Sequence, residues 1–134
     1  MTDVSVAIAN WNGMRYLPSC LEAIYSQTYA PAEVVIVDNG SVDGSFDWIS
    51  SNYPNVCLIR NESNEGFAAG YNQAINCCRG ECILILNTDV FLEGDFIEHA
   101  VNVMGLGGKI GAVAGRVYQQ ATGEWINSGF NLHP

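Results

Sequence analysis

Residues 83–92 read ILILNTDVFL. Four aliphatic residues, Ile83 to Leu86, run directly into an amide, a hydroxyl and a carboxylate at Asn87-Thr88-Asp89 before apolar residues resume. A short, continuous apolar run suits a buried strand. The polar tripeptide that ends it is either an ordinary turn, since Asn, Asp and Thr favour turns, or a strand end that delivers a carboxylate to a ligand. How the other strands end decides between these readings.

Working outward, apolar runs at Val4–Ala9, Val34–Val37, Val56–Arg60 and Cys82–Leu86 alternate with helical spacings. Residues 17–28 place Leu17, Leu21 and Ile24 on one face, with Pro18 admissible only in the first turn. Residues 45–52 form a short helix after Ser45. Phe67, Tyr71, Ala74 and Cys78 make a third stripe. Ile97, Val101 and Met104 make a fourth, behind Asp95 and Glu98 at capping-box spacing. Strand and helix in alternation predict an α/β fold with a mainly parallel sheet and helices on both faces. Such sheets bind ligands beyond the carboxyl ends of their strands. The first strand ends in Asn10-Trp11-Asn12-Gly13 and the second in Asp38-Asn39-Gly40-Ser41. The third ends in Asn61 to Gly66 and the fourth in Asn87-Thr88-Asp89. Turn preference explains each singly; four together at one edge favour a site. Beyond residue 105 the chain is glycine-rich, and residues 116–130 predict a hairpin turning at Thr122-Gly123.

The 134 residues fit one domain, 1–134. Half are hydrophobic, and only 14% are charged, too few for a disordered acidic tail. Five basic against 14 acidic residues give a formal charge of −9, which repels a nucleic-acid polymer. With so few Lys and Arg, neutralising a small anionic ligand falls to a divalent cation. MTDVSVAIAN lacks the basic start of a signal peptide, and no apolar run approaches a membrane span. A cytoplasmic protein is expected, compatible with peripheral attachment at the inner face of a membrane. The odd count of cysteines, Cys20, Cys57, Cys77, Cys78 and Cys82, predicts reduced thiols. Cys77-Cys78-x3-Cys82 has no CxxC pair and no neighbouring His, so core thiols are expected there rather than zinc.

There is no GxGxxG after the first strand, no GxxxxGK[ST] and no GxSxG, which disfavours dinucleotide, P-loop and serine-hydrolase chemistry. The segments VAIANWNG, LEAIYSQTYAPAEVVIVDNGSVDGS, NESNEGFAAGYNQAI and ILILNTDV, in this order, resemble the N-terminal half of family 2 glycosyltransferases with the GT-A fold. The likeness is greatest to the rhamnosyltransferase-like branch, and it covers residues 4 to about 100.

The resemblance implies a GT-A (nucleotide-diphosphosugar transferase) Rossmann-like sheet, a nucleotide-diphosphosugar donor, Mg²⁺ or Mn²⁺, and transfer with inversion to a glycan or lipid-linked acceptor. It makes Ala9, Asn10, Trp11 and Asn12 the lining of the nucleoside pocket. It gives Asp38 the base or ribose, brings Asn64 and Gly66 to the nucleotide, and sets Asn87-Thr88-Asp89 in place of the family's DxD motif, with Asp89 as metal ligand. Asn87 departs from the acidic first position; its amide oxygen still accepts from a ribose hydroxyl. Each residue also has a structural reading. Asp38 and Ser41 suit turns and caps, Gly70 backbone geometry, Asn72 a loop-to-helix tie, Trp11 a loop anchor and Asp43 a surface turn. His99 falls on an exposed helix position, and His133 has no placement.

Family members are about twice this length, and their general base lies in an acidic motif with no match here. The chain is therefore expected to hold donor without an efficient base, as a truncated half-domain ending in a hairpin. A sheet edge or apolar face left uncovered predicts self-association through residues 116–130. A non-enzymatic, vestigial α/β module that self-associates is the alternative. A nucleotidyltransferase is disfavoured because its glycine-rich, basic first loop is missing.

Overall fold

The computed structural model describes residues 2–106 and 109–126. Four strands alternate with helices: β1 (Val4–Asn10), α1 (Leu17–Tyr25), β2 (Glu33–Asp38), α2 (Ser45–Asn52), β3 (Cys57–Arg60), α3 (Phe67–Cys77), β4 (Cys82–Ile85) and α4 (Phe96–Gly105). A short pair, β5 (Val117–Tyr118) and β6 (Trp125–Ile126), follows. The first four strands form a parallel sheet in the order β3-β2-β1-β4.

That order fixes where the helices lie. From β1 to β2 to β3 the chain steps one way; from β3 to β4 it crosses back over β2 and β1. Right-handed crossovers then place α1 and α2 on one face and α3 on the other. The packing agrees for α3: Ala74 closes a fully buried cluster with Ala7, Val35 and Val37, flanked by Ile59, Ile75 and Cys78. Strand alternation turns Val6, Ile8 and Ile36 to the opposite face, and they too are fully buried. The buried stripe Leu17, Cys20, Leu21 and Ile24 of α1 belongs to that second layer.

Edge strand β4 is different. Ile83 and Ile85, opposite Ser5 and Ala7 in register, keep 39% and 55% of their surface exposed. Cover on the α3 face stops at β1.

The chain divides into two compact units, one running to Ile97 and the other beginning at Glu98. In the first, buried Gln27 ties α1 to the segment after β4: Nε2 donates to the carbonyls of Ala23 and Glu93, and Oε1 accepts the Ile97 N–H. In the second, β5 and β6 pair antiparallel across a turn in which Gly123 adopts φ +69° and donates to the Gln119 carbonyl. The expected hairpin is thus present as two two-residue strands; residues 127–130 lie outside the described residues, as does His133.

The expectation of core thiols at Cys77, Cys78 and Cys82 fails: Cys77 is exposed and Cys78 half-buried at the end of α3, and Cys82 is half-buried on edge strand β4. Cys20 is fully buried, and Cys57, on edge strand β3, is exposed. Among the described residues, no helix is long and apolar enough to cross a membrane.

Candidate functional site

The sheet order reverses between β1 and β4, and this switch point is where open α/β sheets hold ligands. Here the chain gathers three hydrogen-bond networks along one edge.

The first lies under the edge. Asn10, the last residue of β1, is fully buried, and its Nδ2 donates to Asp38 Oδ2 (2.8 Å), Ser45 Oγ (2.9 Å) and Ser41 Oγ (3.2 Å). Asp38 Oδ1 accepts the Ser41 N–H at 3.0 Å. Asp38 has no exposed surface. Asp38 and Asn10, expected at the nucleotide, are directed at one another beneath the edge in this structure. Both side chains are supports, clamping the first two strand ends together. Asn10 Oδ1 is buried without a hydrogen-bond partner among the described residues. A methyl on Gly13 would land on it and would lie 3.2 Å from Thr88 Oγ1, so the turns after β1 and β4 meet over Gly13.

The second holds the loops to one another. Asn12, at φ +51°, donates its N–H to Ser41 Oγ and accepts the Val42 N–H on Oδ1, both at 2.9 Å. Asn39, nearly buried, makes four bonds. Its Nδ2 donates to Asn64 Oδ1 and the Gly66 carbonyl, and its Oδ1 accepts Asn61 Nδ2 and the Glu65 N–H. Asn64 Oδ1 also accepts the Gly66 N–H at 2.8 Å. Gly66 itself sits at φ +93°, where a side chain is strained, and caps α3. Asn64 and Gly66 are exposed, so they reach the surface of the edge while Asn39 fixes them from below. An open cleft of about 360 Å³ lies beside this loop, lined by Gly40, Ser41, Val42, Arg60, Asn61 and Glu62.

The third belongs to β4. Asn87 and Asp89 are exposed, and Thr88 is half-buried. The Tyr71 hydroxyl of α3 lies 2.7 Å from Asn87 Oδ1 and 3.0 Å from the Leu86 carbonyl. Burial raises the Tyr71 pKa, outweighing the Ala9 N–H that favours the phenolate; the Asp89 charge adds to the rise. Beneath the loop, Cys20 Sγ points to the Asn87 carbonyl at 3.8 Å. Burial, reinforced by Asp89, pushes its thiol up to about 12.

Ala9 is half-buried, and its methyl faces Gly70, where an added Cβ would come within 3.2 Å; close helix-to-strand approach explains that glycine. Trp11 is 58% exposed, and Asn72 and His99 are exposed.

Asp43 is more than a surface turn. Its Oδ1 accepts the Ser45 N–H and hydroxyl, and its Oδ2 accepts the Met14 N–H, tying the start of α2 to the first loop. Partial burial opposes ionisation, but the bonds from Ser45 and Met14 outweigh it and hold the carboxyl below the ordinary aspartate range. A lowered folded value stabilises above the unfolded value near 3.8 and ceases to do so as pH falls through the folded value. Asp43→Ala should cost about 1 kcal/mol at neutral pH, as loss of a helix cap does. The difference in melting temperature from wild type should narrow as pH falls below about 3.8 and close as it passes the lowered folded value.

Asn39, Ser45 and Tyr71 were not predicted as site residues. Asn39 adjoins a predicted one, and Tyr71 reads as an apolar stripe position. Its signal was the hydroxyl, because a buried tyrosine O–H needs a partner.

Among the described residues no three His, Cys, Asp or Glu side chains are grouped to hold a metal. At the end of β4 the edge offers an exposed carboxylate, Asp89. That suits Mg²⁺ or Mn²⁺, which bind through one or two carboxylates together with the phosphates of a substrate.

The profile described as "Glycosyl transferase family 2" matches residues 5–130. The chain is 33% identical over 105 residues to a putative glycosyltransferase, EpsH, of Bacillus subtilis, covering 76% of this chain and 30% of that protein. It is 35% identical over 97 residues to chondroitin synthase of Escherichia coli, covering 71% and 14%. Among solved structures, the mannosyltransferase PcManGT of Pyrobaculum calidifontis, in complex with GDP-Man and Mn²⁺, superposes with a TM-score of 0.69 at 25% identity, covering 78% of this chain and 34% of that one. S. aureus TarS 1–349 in complex with UDP gives 0.69 at 23% identity, covering 75% and 31%, a likeness of fold. The chain thus spans between 14% and 34% of the length of these relatives. The mainly parallel α/β sheet is the GT-A sheet of these structures, and the chain belongs to glycosyltransferase family 2.

Proposed function

We propose that this chain forms the donor half of an inverting glycosyltransferase, binding a nucleotide-diphosphosugar through a divalent cation at Asp89 for transfer to a glycan or lipid-linked acceptor. The observation that carries this is Asp89 itself, an exposed carboxylate at the switch point beside three loops tied rigidly to one another. Parallel strands lie about 4.8 Å apart, so the edge from β3 to β4 spans roughly 14 Å, room for an extended nucleoside diphosphate. Trp11, Asn12, Asn64, Gly66 and the cleft beside Arg60 form the nucleoside end, and Asn87 and Asp89 the diphosphate end. The cation, when bound, neutralises charge developing on the diphosphate leaving group. The complexes of PcManGT with GDP-Man and Mn²⁺ and of TarS with UDP support donor chemistry of this class.

Thymidine-diphosphate rhamnose is the preferred donor on sequence resemblance. No carboxylate of this chain is assigned as general base. Base assistance is worth about 10²–10⁴-fold, so the isolated chain should bind donor and transfer slowly. Equilibrium titration tests the reading: with Mn²⁺, a nucleoside diphosphate should bind far more tightly than the free nucleoside. Equal affinities would remove the cation and diphosphate from the account.

A second reading, a non-enzymatic module that self-associates, draws on the exposed Ile83 and Ile85 of edge strand β4. Self-association through residues 116–130 is also proposed for the enzyme reading. Sedimentation should show a mass rising with concentration; a constant monomer mass would contradict it.

A further inference from the structure

The Tyr71 hydroxyl stands where the β1–β4 ladder ends. The last rung is the Leu86 N–H to the Ala7 carbonyl. Beyond it the β1–β4 pairing stops, and the Tyr71 hydroxyl of α3, which accepts the Ala9 N–H, lies against the Leu86 carbonyl and Asn87 Oδ1. The ring is buried and packs at 4.6 Å on Phe67, one turn earlier on the same helix. An Asn side chain has one carbonyl oxygen and two N–H donors. Here the oxygen faces inward to the tyrosine hydroxyl, while Nδ2 has no protein partner among the described residues, on a residue exposed beside Asp89.

We infer that Tyr71 is a positioning residue that turns Asn87 into a hydrogen-bond donor toward the ligand, so that the two polar ends of Asn87-Thr88-Asp89 divide their work. This rests on the donor-site reading. Asn87 Nδ2 meets an acceptor oxygen of the nucleoside diphosphate, from phosphate or ribose, and cation binding falls to Asp89 alone. A carboxylate at residue 87 offers only acceptor atoms when ionised, and beside a diphosphate it repels. The pair Tyr71–Asn87 supplies a neutral donor in a chain whose formal charge is −9.

The test combines a spectroscopic and an energetic measurement on the whole chain with Mg²⁺ and uridine or thymidine diphosphate. In NMR spectra of ¹⁵N-labelled protein, the Asn87 Nδ2 resonance pair, assigned by its loss in Asn87→Ala, should shift on saturation. In binding titrations, Tyr71→Phe and Asn87→Ala should each weaken affinity about 3- to 10-fold, the range of a single hydrogen bond. The double variant should be no weaker than Asn87→Ala, because Tyr71 acts through Asn87. A merely structural tyrosine predicts additive losses. An unmoved Asn87 resonance pair, or additivity, overturns the inference while leaving donor binding intact. If Tyr71→Phe does not fold, the resonance pair in wild type decides. Wild-type protein that binds neither diphosphate overturns the donor reading itself, and this inference with it.

Discussion

Asp89→Ala is expected to remove cation-dependent nucleotide binding and leave the fold untouched. Residues one layer behind a metal ligand are worth about 10–100-fold in affinity, so loss of the proposed ligand itself should cost on the order of a hundredfold or more. The side chain is exposed and makes no fold-holding bond among the described residues, and surface substitutions of that kind change stability by about 0.5 kcal/mol or less. Titration with a nucleoside diphosphate and Mn²⁺, beside a melting curve of the free protein, separates the two effects. Unchanged affinity would take Asp89 out of the site. A large fall in melting temperature would make it a structural residue.

Asn10→Ala should do the reverse. It removes every bond from Nδ2 and leaves Asp38 Oδ2 buried without a donor. Leaving a buried acceptor without its donor costs about 1–3 kcal/mol, and more when the acceptor is charged, against a total domain stability of about 5–15 kcal/mol. Denaturant unfolding should show that loss. Adding Asp38→Asn to Asn10→Ala should recover part of it, since the stranded group is then neutral. A cost below about 1 kcal/mol would show that the first two strand ends are held by packing alone. Any nucleotide binding lost in this variant follows from unfolding, and should return at lower temperature, unlike the loss in Asp89→Ala.

These opposite expectations mark what the sequence could and could not convey. Apolar runs located all four parallel strands, covered on both faces in β1 and β2 and only partly in β3 and β4, and helical spacing located three of the four helices. The polar strand ends pointed to the correct edge. Sequence could not separate side chains at that edge from those under it. Asp38 and Asp89 both end a β-branched run, yet Asp38 leaves a central strand and turns down onto Asn10 and Ser41, whereas Asp89 leaves an edge strand and stays in solvent. Burial depends on the neighbouring strand, which is a property of sheet order. The cysteine expectation failed at Cys82 for the same reason, as it lies on an edge strand, and at Cys77 and Cys78 because they close the exposed end of α3. The Tyr71–Asn87 contact joins helix α3 to the end of β4, and no local pattern announces it.

The central claim is that the carboxyl edge of this sheet holds a nucleoside diphosphate through a divalent cation. Thermal unfolding with thymidine or uridine diphosphate, each with and without Mn²⁺, tests it most directly. Ligand at about a hundredfold above its dissociation constant stabilises by about 2.7 kcal/mol, a shift of several degrees for a domain of this size. The account predicts that shift only when nucleotide and cation are both present, and its absence in Asp89→Ala. An unshifted midpoint in every combination, or an equal shift without the cation, would contradict it.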